Sequence, residues 1–306
     1  MIRPLVEPLL PDGVEMRWFA TTAEAIDMAP EADIGWFDAF TPETRAQASL
    51  RAEKARWINT IRAGLDDVPT DLLARRGTIV TNGSGLHAPA VADYALLGVL
   101  TLAKRLDEIV RAHDRTEWLA GPPGMTELEG SRALIIGYGV IGAAIGARLA
   151  ACGAQIVPVR RTADPANGIL GAGNWRERLS DMDWVILAAP ATDETRAMIG
   201  AAELAAMKPT AGLVNIARGD LIDQGALLAA LQNRSIGGAF LDVTTPEPLP
   251  ASDPLWKAPR SLVTMHMSGR SQTSLFRKGA ERFARNLRAW LAGEPLEAVV
   301  DLARGY

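Results

Sequence analysis

Three side chains in the second half of the chain have the types and positions to reduce a carbonyl beside a carboxylate. Arg218 follows the apolar run 212–216, Glu247 lies on the connection after 237–241, and His266 follows 261–264. In an open parallel sheet, ligands bind beyond the carboxyl ends of the strands, so all three groups point to one locality. Arg218 would hold a carboxylate as a bidentate partner. His266 would donate a proton to the carbonyl oxygen as hydride reaches the adjacent carbon. Glu247 would hold the imidazole and favour its charged form. Taken singly, each residue could as well be a packed or solvated side chain; their common placement after successive strands makes the case.

A source of hydride is readable upstream. Gly137-Tyr138-Gly139-Val140-Ile141-Gly142 has the G-x-G-x-x-G spacing, between the apolar run 133–136 and an Ala-rich helical stretch, 141–151. Gly137 permits the tight turn, Gly139 lets the backbone approach a pyrophosphate, and Gly142 allows close helix–strand packing. The helix start at Val140 and Ile141 presents N–H groups and partial positive charge to the phosphates. About 20 residues on, a cofactor with a free ribose 2′-hydroxyl meets an acid. Here the strand ends in Val159-Arg160-Arg161-Thr162, with no acid before Asp164. An Asp would repel a 2′-phosphate, whereas two guanidiniums would grip one. The expected cofactor is therefore NADP (NADPH), with NAD as the alternative.

The elements that must position these groups form a regular alternation. Residues 133–136, 155–159, 184–188, 212–216, 237–241 and 261–264 read as strands, with helices at 141–151, 202–207 and 224–233. Strands apolar on both faces and separated by helices indicate an α/β fold with a covered parallel sheet. The first hundred residues repeat the pattern more weakly. Strands are expected at 14–19, 32–37, 57–61 and 78–81, and helices at 22–28, 43–54 and 71–75. A long helix over 88–111 follows Asn82-Gly83-Ser84-Gly85, and Gly121-Pro122-Pro123-Gly124 punctuates the start of the larger domain.

Composition excludes several other classes. A chain of 306 residues suggests two domains. Net charge is -4, from 32 Lys plus Arg against 36 Asp plus Glu, which excludes a broadly basic nucleic-acid-binding surface. One cysteine, Cys152, and three histidines allow no disulfide framework or Cys-based zinc site and argue against a metal centre. No apolar run reaches the ~20 residues of a membrane span, and no secretory signal opens the chain. A cytoplasmic protein without membrane or nucleic-acid partners is the expectation.

Beyond these signals, the chain resembles the D-isomer-specific 2-hydroxyacid dehydrogenase family over nearly its whole length. The resemblance rests on Ala63-Gly64-Leu65-Asp66, Ala90-Val91-Ala92-Asp93, the glycine motif, and Pro190 with Thr192 to Thr195. It continues through Asn215-x-Ala-Arg-Gly-Asp, Asp242-Val-x-x-x-Glu-Pro-Leu, Pro254-Leu-Trp and Thr264-x-His266. It implies catalytic Arg218, Glu247 and His266, and a substrate-carboxylate turn at Ala63, Gly64 and Leu65 alongside Arg218 and His266. Cofactor contacts would come from the glycine loop, Arg160, Arg161, Pro190, Thr195, Ala217, Asp242 and His266, with Asp242 meeting the nicotinamide carboxamide. It further implies two Rossmann-like/flavodoxin-like parallel-sheet domains with an active-site cleft between them. Residues 1–98 and 272–306 would form the substrate domain and 99–271 the dinucleotide-binding domain, joined by helices 88–111 and 272–292. A homodimer is expected by the same analogy.

The departures from the family pattern are Met265 where Pro is common before the histidine, Thr244 where an aromatic is common, and Asp93 where Glu is usual. Arg160 in place of Asp resembles the NADPH-preferring glyoxylate and hydroxypyruvate reductases. Ending at Tyr306, the chain is expected to lack the regulatory domain of many phosphoglycerate dehydrogenases. Glu247 in place of Gln separates it from formate dehydrogenase. The expected activity is reversible, NADPH-dependent reduction of a small 2-keto acid to the D-2-hydroxy acid. The alternatives are an NAD-linked D-2-hydroxyacid dehydrogenase and a non-catalytic dinucleotide-sensing protein. His87, before the first linking helix, could touch substrate or pack against that helix.

Overall fold

The computed structural model describes residues 2–38, 41–270 and 272–302. The chain divides into two compact units, Met1–His87 with Gln272–Tyr306, and Ala88–Ser271. The first crossing thus falls at 87/88 and not at 98/99.

In the first unit, β1 (Ile34–Trp36), β2 (Trp57–Asn59) and β3 (Ile79–Thr81) form a parallel sheet in that order. Residues about Val299 extend its edge, bridging antiparallel to Thr81. Around it stand α1 (Arg3–Val6), α2 (Thr22–Met28), α3 (Pro42–Arg51) and α4 (Thr70–Arg76). Thr21 and Thr41 cap α2 and α3 by accepting from the amides of Glu24 and Thr44, which sets where these helices start. One sheet face packs on a cluster including Ile58, Leu73 and Val80; the other carries Trp57 against Phe283 and Leu287. The strand expected at 14–19 does not form. Val14, Met16 and Trp18 do alternate inward, but they lie against that second cluster without strand partners. The alternation there records an extended segment lying on side chains.

The second unit opens with α5 (Ala88–Lys104), then α6 (Leu106–Asp114). The single helix expected over 88–111 breaks at Arg105, whose φ is 52°. Gly124 packs so closely on the end of α5 that a Cβ would stand 2.5 Å from the Lys104 carbonyl carbon, and the Thr126 amide takes the Ala103 carbonyl. That long-range contact has no local sequence signal. Val91, Ala92, Ala95, Val99 and Ala103 of α5 are buried in this unit's core, and a Cβ at Gly98 would meet the Phe240 ring at 2.6 Å. The whole of α5 therefore belongs to the second unit, which is why the boundary precedes it.

Six parallel strands follow: β4 (Arg132–Ile136), β5 (Gln155–Val159), β6 (Trp184–Leu187), β7 (Gly212–Asn215), β8 (Gly238–Leu241) and β9 (Ser261–Val263). Their order is β5-β4-β6-β7-β8-β9, with Leu170 adding a single parallel bridge outside β5. Between them lie α7 (Val140–Ala151), α8 (Ala201–Ala206) and α9 (Gln224–Gln232). Leu134, Ile136, Val185, Leu187 and Leu213 face one core cluster, and Ala133, Ile135, Ile186 and Val214 the other. Both faces are covered, as the continuous apolar runs require. The chain reverses direction across the sheet between β4 and β6, the place where such sheets take ligands. The last helix, α10 (Leu275–Ala292), returns to the first unit and ends at Gly293, φ 71°. Among the described residues no helix is long and apolar enough to cross a membrane.

Candidate active site

The glycine loop joins β4 to α7 at that reversal. Gly137 has φ 100°, and a Cβ on it would stand 2.4 Å from the Ala189 amide nitrogen. A Cβ on Gly142 would stand 2.3 Å from the Gly137 carbonyl oxygen, so both positions exclude side chains by backbone contact. Gly139 differs: a Cβ there would meet nothing within 4 Å. It is the N-cap of α7 without a side-chain cap, and Val140 beside it is exposed. Two glycines forced by packing and one facing open space at a bare helix start form a cradle that fits a dinucleotide's pyrophosphate.

Arg160, at the end of β5, donates from Nε to the Tyr138 carbonyl oxygen at 2.6 Å, which places its guanidinium on the glycine loop itself. Arg161 is exposed beside it. The Thr195 hydroxyl donates to the Pro190 carbonyl and accepts from the Thr192 amide, closing the turn after β6.

Arg218, Glu247 and His266 all stand past the ends of adjacent strands. Buried Asn215 closes β7 by donating to the Arg218 carbonyl and accepting the Ala217 amide. This local turn aims Arg218, whose Nη1 donates to the Ala217 carbonyl. A Cβ at Gly219 would lie 2.1 Å from the Thr244 carbonyl carbon, so the Arg218 and Glu247 loops touch through backbone. The Thr245 hydroxyl donates to Asp220 at 2.7 Å across the same seam. Glu247 Oε2 lies 2.7 Å from His266 Nδ1, and its Oε1 accepts the Thr244 amide. Burial pushes the Glu247 carboxyl up, but the His266 hydrogen bond and charge, the Thr244 amide and the Arg218 charge together hold it below the ordinary carboxylate value. With Glu247 ionised, Nδ1 carries the proton between the pair, and Nε2 is the nitrogen left to exchange one.

The structure gives Asp242 a task the resemblance does not imply. It is 1% exposed, and its carboxylate accepts from the Thr264 hydroxyl and the amides of Met267 and Ser268. Its own carbonyl accepts the His266 amide. Asp242 therefore shapes the loop that carries the histidine. That loop is unusual: Met265 and His266 have φ of 57° and 56°, a left-handed pair of non-glycine residues. Such conformations cost about 1–2 kcal/mol each and persist where neighbouring bonds hold them. The spacing between Asp242 and residues 264–268 offered no sign of this network.

In the first unit, the turn after β2 holds Ala63, Gly64 and Leu65. Asp38 fixes its entry, accepting the Thr60 hydroxyl and the Ile61 amide, and buried Arg45 pairs with Asp67 at its exit. The amides of Ala63, Gly64 and Leu65 have no partner among the described residues. Three successive unengaged N–H groups on a braced turn can receive an anion. His87 is engaged within the first unit: Nε2 lies 2.9 Å from the Ile61 carbonyl oxygen and Nδ1 lies 3.0 Å from Gln272 Nε2. Among the described residues, no group of three or more His, Cys, Asp or Glu side chains could hold a metal ion.

Fold and site together define a nicotinamide-dinucleotide oxidoreductase of the doubly wound class, and comparison with known proteins agrees. The family described as D-isomer specific 2-hydroxyacid dehydrogenase, NAD binding domain, matches residues 96–268. A glyoxylate reductase of Thermococcus gammatolerans is 38% identical over 261 residues, covering 82% of this chain and 77% of that protein. A D-isomer specific 2-hydroxyacid dehydrogenase family protein of Aeromonas salmonicida superposes with a TM-score of 0.86 at 28% identity, covering 98% and 95% of the two chains. The NADPH-dependent glyoxylate/hydroxypyruvate reductase of Sinorhizobium meliloti, solved with NADP and malonate, gives a TM-score of 0.74 at 26% identity, covering 89% and 83%. The chain belongs to the D-isomer-specific 2-hydroxyacid dehydrogenase family.

Proposed function

We propose that the protein reduces small 2-keto acids of the glyoxylate and hydroxypyruvate type to D-2-hydroxy acids, reversibly and with a preference for NADPH. The observation that carries the reaction is the 2.7 Å pairing of His266 with Glu247 on a loop in backbone contact with that of Arg218. The bound dinucleotide supplies the hydride. Arg218 holds the substrate carboxylate and polarises the neighbouring carbonyl, and in the first unit the amides of Ala63, Gly64 and Leu65 form a turn suited to a carboxylate. His266 gives the proton on Nε2 to the carbonyl oxygen as negative charge develops there, and takes it back in the reverse direction. Glu247 keeps the imidazole oriented and stabilises its cationic form throughout. The unit with the glycine loop is the dinucleotide domain and the other the substrate domain.

The preference for NADPH is supported by Arg160. Its Nε is anchored on the Tyr138 carbonyl, and its remaining guanidinium nitrogens have no partner among the described residues, ready for a 2′-phosphate beside the loop. The homodimer is assigned to α5 and α6, which leave Leu97, Leu100, Leu106, Ile109 and Val110 exposed. The test is a panel of glyoxylate, hydroxypyruvate, pyruvate and bulkier 2-keto acids, followed by loss of cofactor absorbance with NADPH and NADH in parallel. The reading stands if a small keto acid with NADPH gives the highest kcat/KM. Equal efficiency with both cofactors removes the preference, and no turnover with any keto acid removes the reaction.

A further inference from the structure

The turn at Ala63–Leu65 is shaped from behind by one loop. Three successive carbonyl oxygens at its start, those of Ile61, Arg62 and Ala63, are all engaged by residues 82–87. The Ile61 oxygen lies 2.9 Å from His87 Nε2, the Arg62 oxygen accepts the Gly83 amide at 2.7 Å, and the Ala63 oxygen accepts Asn82 Nδ2 at 2.8 Å. Gly83 can have no side chain, because a Cβ would stand 1.9 Å from the Ile61 oxygen. The Arg62 and Ala63 carbonyls share their peptide planes with the amides of Ala63 and Gly64, so turning them toward this loop directs those two amides the opposite way. The Ile61 plane fixes the turn's entry, with the Arg62 amide on the Thr60 hydroxyl. The amides of Ala63, Gly64 and Leu65 have no partner among the described residues. The loop is itself held. Asn82 Oδ1 accepts the Ser84 amide, Arg282 Nη1 donates to the Ser84 carbonyl at 2.6 Å, and Gln272 Nε2 lies 3.0 Å from His87 Nδ1. With Gln272 donating, Nδ1 is the acceptor and Nε2 donates to the Ile61 carbonyl oxygen.

We infer that Asn82 and His87 are positioning residues for substrate binding: they hold the carbonyls of the 61–63 segment so that the amides of residues 63–65 stay aimed at the substrate carboxylate. The inference rests on the reading of that turn as a carboxylate site. Neither residue touches the reacting atoms; both act through the turn. Losing one brace relaxes the turn and weakens the ground state and transition state alike, which raises KM and leaves kcat nearly unchanged.

The experiment uses the full-length protein with glyoxylate and hydroxypyruvate as probes. His87→Phe keeps a ring but loses both hydrogen bonds. Asn82→Asp keeps the acceptor for Ser84 and loses the donor to Ala63. Each should raise KM roughly five- to tenfold, the worth of one hydrogen bond, with kcat within about threefold of the parent. Cofactor affinity, titrated by fluorescence, should stay unchanged. His87→Gln, whose amide can reach Ile61, should recover most of the loss. The double variant should raise KM by less than the product of the two single effects, because both act on one turn. Gly64→Pro, checked for folding by its melting curve, deletes one of the three amides and tests the underlying reading. If Gly64→Pro raises KM while folded His87→Phe and Asn82→Asp leave it at the parental value, the braces are overturned and the turn keeps its role. If Gly64→Pro leaves KM unchanged, the carboxylate turn falls and the inference with it. A fall in kcat equal to the rise in KM, unrelieved by His87→Gln, would also overturn it.

Discussion

Glu247→Gln removes one charge and little else, so it isolates what the carboxylate does for His266. Nδ1 and Oε2 lie 2.7 Å apart, which puts the two charge centres about 4 Å apart. At that separation a unit pair interacts by about 1 kcal/mol in water and about 4 kcal/mol near a protein surface. The two side chains are 40% and 35% exposed, so solvent screening moves the figure to about 1.5–2 kcal/mol. At 1.36 kcal/mol per factor of ten, that is roughly a tenfold to thirtyfold loss of support for the cationic imidazole that gives up its proton in reduction. The sign follows from what is lost: the carboxylate that stabilises positive charge on His266 is gone, so proton donation and with it reduction should slow. The value of kcat/KM for keto-acid reduction should therefore fall by roughly tenfold in Glu247→Gln. The assay is a pH–rate profile of both enzymes across neutral and mildly alkaline pH, with saturating cofactor. Stability supplies a second reading. The Glu247 carboxyl is held below its ordinary value, so its contribution is present above the unfolded carboxylate pKa of ~4.3 and is lost as pH falls through the folded one. The difference in melting temperature between parent and variant should shrink toward zero in acid. Superimposable pH–rate profiles would refute the argument that this carboxylate supports the proton donor.

Other substitutions separate the remaining roles. Arg160→Asp should lower kcat/KM with NADPH by at least tenfold and raise it with NADH, read from initial rates with both cofactors, since charge-assisted bonds are worth about 1.5–3 kcal/mol. Arg218→Ala should raise KM for the keto acid and lower kcat together, by 10²-fold or more in kcat/KM as an order-of-magnitude figure, with cofactor affinity little changed. The glycines should divide by what their missing side chains meet. Gly142→Ala should lower the melting temperature because its methyl group would strike the Gly137 carbonyl, whereas Gly139→Val should melt near the parent and lose cofactor binding.

Much of the second unit was legible because its signals are local. Each of its six strands reads as a continuous apolar run, and the structure differs mainly by a residue at the ends. Arg218 and His266 could be singled out because each comes two residues after such a run, and Glu247 because it lies on the connection between two of them. What the sequence did not disclose depends on partners far apart along the chain. The break at Arg105 comes from Gly124 packing on α5. The absence of a strand at 14–19 comes from side chains that find a helix cluster and no strand partner. For Asp242 the resemblance implied a nicotinamide contact; its engagement by residues 264–268 could be seen only with the loop folded. His87 stayed ambiguous for the same reason, since Ile61 and Gln272 lie 26 and 185 residues away.

The left-handed pair at Met265 and His266 bears on how this enzyme could change over evolutionary time. Proline, common before the histidine in the family the chain belongs to, has φ locked near −65°, whereas Met265 sits at 57°. A single mutation to the common residue would therefore rotate the backbone just where the histidine must be delivered. Because Asp242 holds residues 264–268 in this form, such a change is expected to call for compensating changes around Asp242. Grafting a proline-bearing loop from a relative is expected to succeed only when the residues that receive its hydrogen bonds travel with it.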